Sequence, residues 1–219
     1  MNYQMVPLNI KLGELNMINE LKILKKKYDE IMLSPEKIEN EYFQTVMSSY
    51  AYKKISKGPS INIRPFDFQQ TGFKKGRDLK ALPKVIDNTY VYYFDSENKI
   101  LLTENYGKTE NIIYREYYFY FDNRLELVYF DSGADEVIKV ETIINKAKQP
   151  IYLIGYSRVS SYIWQYMYND NKLFEIDVKC KEHNDTEFSY WKVDFEYESG
   201  ELSKIIRRHP NGYEEQQYP

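Results

Sequence analysis

The chain has 219 residues, of which 42% are hydrophobic and 29% are charged. This is enough apolar material for one substantial core, and it excludes an intrinsically disordered protein. A formal net charge of −3 argues against a general nucleic-acid binder. A single cysteine, Cys180, excludes an internal disulfide framework and favours a reducing compartment. Residues 1–11 have no apolar run behind a basic start, and no stretch is long enough to span a membrane. We therefore expect no signal peptide, no membrane span and a cytoplasmic protein.

Two amphipathic helices are predicted at the N-terminus. In the first, over about 12–33, the apolar residues at spacings of three and four share one face: Leu15, Ile18, Leu21, Leu24, Tyr28 and Ile31. The second is predicted over 35–56, with Ser34 supplying an N-cap oxygen and Pro35 at the first helical position. Its apolar stripe comprises Ile38, Tyr42, Val46 and Tyr50. We expect both apolar sides to lie on a sheet.

Residues 58–88 are irregular and locally basic. Lysines and an arginine between positions 74 and 84 lie near Phe66, Phe68 and Phe73, a pattern that can bind phosphates or single-stranded nucleic acid. No recognised nucleic-acid module or glycine-rich phosphate loop accompanies them. The favoured interpretation is therefore a solvated connection whose phenylalanines pin it to the core, with no specific nucleic-acid partner.

Beyond Tyr90 the hydrophobic pattern has a period of two. The strands over 174–180 and 191–197 alternate apolar with charged residues, which indicates one buried and one wet face. The strands over 117–121 and 162–168 are bulky on both faces, so either another layer covers one side or aromatic residues are displayed. Tyrosine, with 23 copies, suits strands and also suits binding surfaces.

A short phrase repeats through this region: an aromatic residue, a tight polar turn, then Arg, Lys or Glu before Leu. Its copies lie at 120–125, 168–173 and 197–202, with a looser copy at 93–100. Each is a hairpin signature. The turn residues can adopt positive φ, as two-residue hairpin loops require: Asp122-Asn123, the Asn and Asp residues at 169–171, and Ser199-Gly200. A further turn is expected between Asn145 and Pro150, with the proline at a strand start or a sheet edge.

These elements predict an α+β protein in which two N-terminal helices pack on a large antiparallel β-hairpin meander. We expect about ten strands in a curved or partly closed sheet. The expected divisions are a helical hairpin over 1–57, an irregular connection over 58–88 and the meander over 89–219, all within one compact domain. The oligomeric state stays open.

The repeated phrase, Tyr-x-Asp-x-(Arg/Lys)-Leu, resembles the YD-type hairpin repeat of Rhs and teneurin shells, although its turns are shorter and the family's glycine survives only as Gly200. The likeness covers about half of the chain, which is too short for a full shell. The small, acidic, cysteine-poor α+β chain also resembles the immunity proteins of bacterial polymorphic-toxin and contact-dependent inhibition systems. That resemblance implies a cytoplasmic protein that exposes a sheet face or a cleft to a basic toxin domain.

Residues for catalysis are few. His183 and His209 have no partners at metal-ligand spacing, and Cys180 lies on the apolar phase of its strand. We therefore predict no catalytic residue, no metal and no cofactor. An enzyme would need a cleft in which one of the two histidines meets a carboxylate within hydrogen-bond reach.

Carboxylates on the polar phases of neighbouring strands, together with aromatic residues of the doubly bulky strands, are the candidate partner-binding residues. They are Glu175, Asp177, Asp194, Glu196, Glu198, Tyr118, Tyr120, Trp164 and Tyr166. An acidic sheet face would steer a basic partner. The simpler interpretation is a mixed soluble surface, because Lys179, Lys192, Lys204, Arg207 and Arg208 are interspersed among the carboxylates.

The function expected from the sequence is a non-catalytic protein-binding module, most concretely an immunity protein that occludes a cognate toxin. The first alternative is a structural or ligand-carrying sheet protein, which an apolar pocket beneath Trp164 and Tyr118 would favour. An enzyme is the second alternative.

Overall fold

The computed structural model describes residues 8–109 and 112–219, and their side chains from residue 16 onward. The expectation about a signal peptide concerns residues 1–11, of which 1–7 lie outside these ranges, as does the side chain of Leu15. Over the ranges described, no helix combines the length and the apolar character needed to cross a membrane.

Three helices and thirteen strands make up the described parts of the chain. The helices are α1 (Leu8–Met32), α2 (Pro35–Ser49) and α3 (Asp67–Gln70). The strands are β1 (Tyr52–Lys57), β2 (Arg77–Leu79), β3 (Thr89–Phe94), β4 (Ile100–Tyr106), β5 (Ile113–Phe121), β6 (Arg124–Asp131), β7 (Glu136–Lys146), β8 (Gln149–Ser157), β9 (Ser160–Asn169), β10 (Lys172–Glu182), β11 (Ser189–Glu198), β12 (Glu201–Arg208) and β13 (Glu214–Tyr218).

All thirteen strands belong to one antiparallel sheet. Strands β3 to β13 are neighbours in strict sequence order, and β1 and β2 extend the sheet beyond β3. The α+β class with a large antiparallel sheet is therefore confirmed, whereas about ten strands was an underestimate. The sheet is not closed, because β2 and β13 form its two edges.

The second helix was predicted too long. It ends at Ser49, and Tyr52–Lys57 pairs along the whole of β3, from Tyr52 opposite Phe94 to Lys57 opposite Thr89. Strand β1 thereby satisfies the backbone groups of β3, a long-range gain that overrides the local helical pattern. Ser34 occupies the N-cap position, but its hydroxyl donates to Leu33 O at 2.7 Å instead of accepting a helix N–H.

The hairpin turns follow the repeated phrase with one difference. Residues of positive φ occupy the predicted turns at Asp170-Asn171 and at Ser199-Gly200, whereas Asp122 and Asn123 turn without it. The expected turn before Pro150 lies at residues 147–148, Ala and Lys, both with positive φ. Pro150 is the second residue of β8, opposite Asn145, so the prediction of a strand start is correct.

The sheet has a hydrophobic core on each face. We call the face that bears α1 and α2 the outer face; there Leu24, Tyr28 and Val46 of the helices pack on residues such as Val128 and Ile154. On the opposite, inner face, a second cluster joins the strands from β3 to β12. Residues 59–76, which we call the plug, lie on this face and contribute three partly buried side chains to its cluster: Ile61, Ile63 and Phe66.

The plug shows that the sheet is strongly curved. At one end it is anchored beside β3, because Gly76 N donates to Pro59 O and Gly58 N donates to Asn88 O. At the other end Gly72 lies against the carbonyl of Gln217 in β13. The four-residue step from Gly72 to Gly76 spans at most about 14 Å, whereas ten inter-strand spacings in a flat sheet would separate β3 from β13 by about 48 Å. The sheet therefore curls around the plug.

Candidate functional site

A concave surface of about 1020 Å³ lies on the outer face, beside α1. We call it the outer groove. Its floor is built from aligned residues of neighbouring strands: one row runs Tyr152, Gln165, Asp177, Lys192 and Arg208, and the next contains Ile163, Lys179 and Tyr190. Met17 and Ile18 of α1 form one wall, and the turns carrying Phe188 and His209-Pro210 complete the lining.

Some apolar side chains that line the outer groove are exposed to solvent and do not belong to either core cluster. The side chain of Tyr190 is 52% exposed and that of Ile18 is 46% exposed. Strand β11 places Tyr190 there because alternate residues of an antiparallel strand share one face, whereas Ile18 belongs to α1, whose main contacts with the sheet are to β7 and β8. Lys179 Nζ lies 5.7 Å above the centre of the Tyr190 ring, so this exposed ring also forms a cation–π contact.

Four of the carboxylates on the outer face have a basic neighbour, and Lys192 serves two of them. Lys192 Nζ lies 2.8 Å from Glu175 and 3.4 Å from Asp177, Arg208 binds Asp194, and Lys204 Nζ lies 3.6 Å from Glu196. Cross-strand register causes this, because Lys192 stands directly opposite Asp177 and Lys204 opposite Glu196. The result is a mixed surface without a strong field of one sign.

The predicted partner-binding carboxylates share the outer face but not one site. Asp177 lines the outer groove, while Glu175 and Asp194 stand opposite each other in the adjacent row. Glu196 and Glu198 are exposed farther along β11, with Glu198 at the hairpin end.

The predicted aromatic residues belong to the inner face instead. Tyr118 and Tyr166 are each 4% exposed and belong to the core cluster of that face. Trp164 is partly buried in the same cluster. Tyr120 is 38% exposed, near the hairpin end of β5. Because the two sets occupy opposite faces, no single partner surface contains both.

A buried ionic cluster holds the plug on the inner face. The guanidinium of Arg64, 7% exposed, binds Glu141 of β7 and lies 2.8 Å from Glu116 of β5 and 3.1 Å from Asp67. Lys139 Nζ lies 3.1 Å from Glu141. Although burial opposes ionisation, Arg64 and Lys139 lower the pKa of Glu141 to about 2. The cluster therefore contains two basic side chains and three carboxylate side chains.

Gly155 allows a tyrosine to join this cluster. In β8 it stands between Glu141 of β7 and Tyr162 of β9, and a Cβ there would overlap the Tyr162 ring. The ring therefore crosses β8, and its hydroxyl donates to Glu141 Oε1. Burial raises the pKa of Tyr162 well above its usual value, and the neighbouring Glu141 raises it further, so the phenol stays a donor.

The histidines and the cysteine fill packing roles. The His183 ring stacks on Tyr156 at 4.7 Å, with Nε2 2.8 Å from Ser157 O, and the His209 ring lies 6.3 Å from Trp191. In residues 8–109 and 112–219, neither histidine forms a hydrogen bond or an ion pair with a carboxylate. Cys180 is a partly buried free thiol, whose pKa burial raises.

Two residues of these sites, Tyr190 and Arg64, were not predicted from the sequence. Tyr190 is an aromatic residue on the otherwise charged phase of β11, which also carries Lys192 and Asp194. This break in the charged pattern could have identified Tyr190 from the sequence. For Arg64 no such signal exists, because its partners lie 52 and 77 residues away and are brought together only by the sheet register. The comparisons with known proteins return no matching family model and no matching curated protein.

Proposed function

We propose that the protein is a non-catalytic protein-binding module that holds its partner in the outer groove. The most concrete form of this role is an immunity protein that neutralises a cognate bacterial toxin by occluding it. The observation that carries the proposal is the groove itself: a large concavity with exposed aromatic and aliphatic side chains on its floor and walls and paired charges on its floor.

The composition of the groove suits a protein partner. Protein interfaces are enriched in tyrosine and arginine, and their binding energy is concentrated in a few buried aromatic anchors surrounded by polar groups. Tyr190 and Ile18 supply the apolar anchors, and Asp177, Lys192 and Arg208 of the neighbouring row on the floor supply polar groups. A partner segment with an apolar centre and charges of both signs at its ends would fit this pattern.

Electrostatic steering of a basic partner has less support. Every outer-face carboxylate at positions 175, 177, 194 and 196 already has a lysine or arginine neighbour within 4 Å. The proposed binding therefore depends on the shape of the outer groove and on apolar contacts within it. A partner is recognised by the segment that it inserts into the groove. Within the described residues, neither histidine forms a hydrogen bond or an ion pair with a carboxylate, which is the geometry that the enzyme alternative would require.

The test is co-expression with the product of the adjacent upstream gene. The expected result is that the neighbour arrests growth when expressed alone, that this chain restores growth, and that the two proteins copurify at a fixed stoichiometry. A neighbour that is neither toxic nor a ligand would refute the immunity role. Rescue without binding would refute occlusion as its mechanism.

A further inference from the structure

A second concavity lies on the inner face, under the plug, and has a volume of about 300 Å³. We call it the inner pocket. Beneath it, Tyr92, Thr103, Glu116, Tyr129 and Lys139 form one aligned row across β3 to β7. A second row places Asn105 between Tyr90 and Tyr114. Plug residues such as Ile61, Ile63 and Phe68 line the other side.

The two rows make a slot with aromatic sides. Tyr90 and Tyr92 of β3 lie with their rings stacked at 6.1 Å, and Tyr114 and Tyr129 of β5 and β6 are stacked at 5.9 Å. Strand β4 separates the two pairs and contributes only the short side chains of Thr103 and Asn105. Two inter-strand spacings place β3 and β5 about 10 Å apart, and the Tyr118 hydroxyl, which also borders the pocket, lies 3.0 Å from Thr103 Oγ1.

The charge around the inner pocket is unbalanced. The pocket is lined by four charged residues, Arg64, Asp67, Glu116 and Lys139. Glu141 forms ion pairs with both basic residues, Arg64 and Lys139. Three carboxylates against two cations leave one net negative charge beside the tyrosine rings. In a partly desolvated site, an organic cation is the species that both the rings and this charge attract.

The protein already places an ammonium group on one of these rings. Lys139 Nζ lies 5.6 Å from the centre of the Tyr129 ring while it pairs with Glu141. Within the described residues Tyr90 forms no side-chain hydrogen bond, and burial raises its pKa to about 12, so it remains a neutral phenol. Its partly buried ring borders the inner pocket. The site therefore already contains one cation–π contact of the protein's own beside further tyrosine rings.

We propose that the inner pocket binds a singly charged organic ammonium group of the alkylated or quaternary type, held between the two tyrosine pairs over Thr103 and Asn105. This activity goes beyond the protein-binding role and occupies the opposite face of the sheet. An ammonium with an apolar envelope matches the pocket better than an anion, which the carboxylates would repel. It also matches better than a neutral ligand, which would leave the net charge uncompensated.

The test is calorimetric titration with choline and with 3,3-dimethylbutan-1-ol, its neutral analogue of nearly the same shape. We expect choline to bind at least about tenfold more tightly, the order of effect of a partly desolvated cation–π contact. Equal affinities, or no choline binding, would overturn the proposal. A parallel titration with N-acetyl-ε-trimethyllysine amide separates the two sources of the group: tighter binding than choline points to a modified protein side chain, and weaker binding to a free metabolite.

Matched variants locate the ligand. Tyr114→Phe keeps the ring face and should bind choline within about twofold of the native protein, whereas Tyr114→Leu should bind about tenfold more weakly. Asn105→Phe fills the slot without touching the ionic cluster and should abolish binding at an unchanged melting temperature. Native affinity for choline in a folded Asn105→Phe variant would contradict the assigned position.

Discussion

At the scale of single residues, Arg64 explains why an irregular segment is held in place. It comes from the plug yet meets carboxylates of β5 and β7, so the segment is fixed by a buried charge as well as by Phe66, whose ring lies 5.4 Å from Phe195. The attraction of three neighbouring carboxylates offsets the free energy that it costs to remove the Arg64 guanidinium from water. If one charged group of the cluster is removed, the remaining buried charges lose this compensation.

The pH dependence of stability tests this cluster. The pKa of Glu141 is about 2 in the folded protein, below its usual value of 4.5. Its contribution is therefore complete above about pH 4.5 and is lost as pH falls toward 2. A shift of this size corresponds to about 3 kcal/mol of unfolding free energy. Urea denaturation between pH 7 and pH 2.5 should show the loss.

The control for this prediction is a matched pair of variants. Glu141→Gln should be less stable at neutral pH and should flatten the acid limb of the stability curve, because its side chain cannot titrate. Glu198→Gln, at an exposed hairpin position, should leave both unchanged. An acid limb that keeps its native slope in Glu141→Gln would show that Glu141 does not carry the effect.

At the scale of elements, the repeated hairpin phrase determines the register of the strands, and the register determines which side chains lie opposite one another. Alternation in β10 and β11 predicted correctly that Glu175 and Asp177 share a face with Asp194. It could not predict that Lys192 lies directly opposite Asp177, because strand pairing depends on turns and bulges that a period-two pattern does not specify. The conversion of residues 52–57 from predicted helix to β1 has the same origin, since only the open edge of β3 makes a strand favourable there.

The contact between β8 and β9 gives a sharp prediction at this scale. Gly155→Ala should destabilise the protein by about 1–3 kcal/mol, because the added methyl group displaces the Tyr162 ring and breaks its hydrogen bond to Glu141. Chemical denaturation measures the loss. In a Tyr162→Ala background the same substitution should cost much less, since the overlapping ring is gone. Equal costs in the two backgrounds would show that the ring does not require the glycine.

At the scale of the whole molecule, the curved sheet has two concave surfaces with different character. The inner face carries the plug and keeps the small inner pocket, whereas the outer face bears α1 and α2 and, among the described residues, the outer groove beside α1. The sequence predicted the meander and its aromatic richness. It did not predict which aromatic residues stay accessible, because that depends on where the plug and the helices lie across a sheet of thirteen strands.

The most direct test of the central claim is the affinity of purified native protein and two variants for the neighbour gene's product, measured by titration calorimetry. Tyr190→Glu alters the floor of the outer groove, and Phe121→Glu changes an aromatic residue that is 58% exposed but lies at a distant hairpin end. We expect a loss of about 2 kcal/mol or more for Tyr190→Glu and a change within about 0.5 kcal/mol for Phe121→Glu. Native affinity in a folded Tyr190→Glu variant would contradict it.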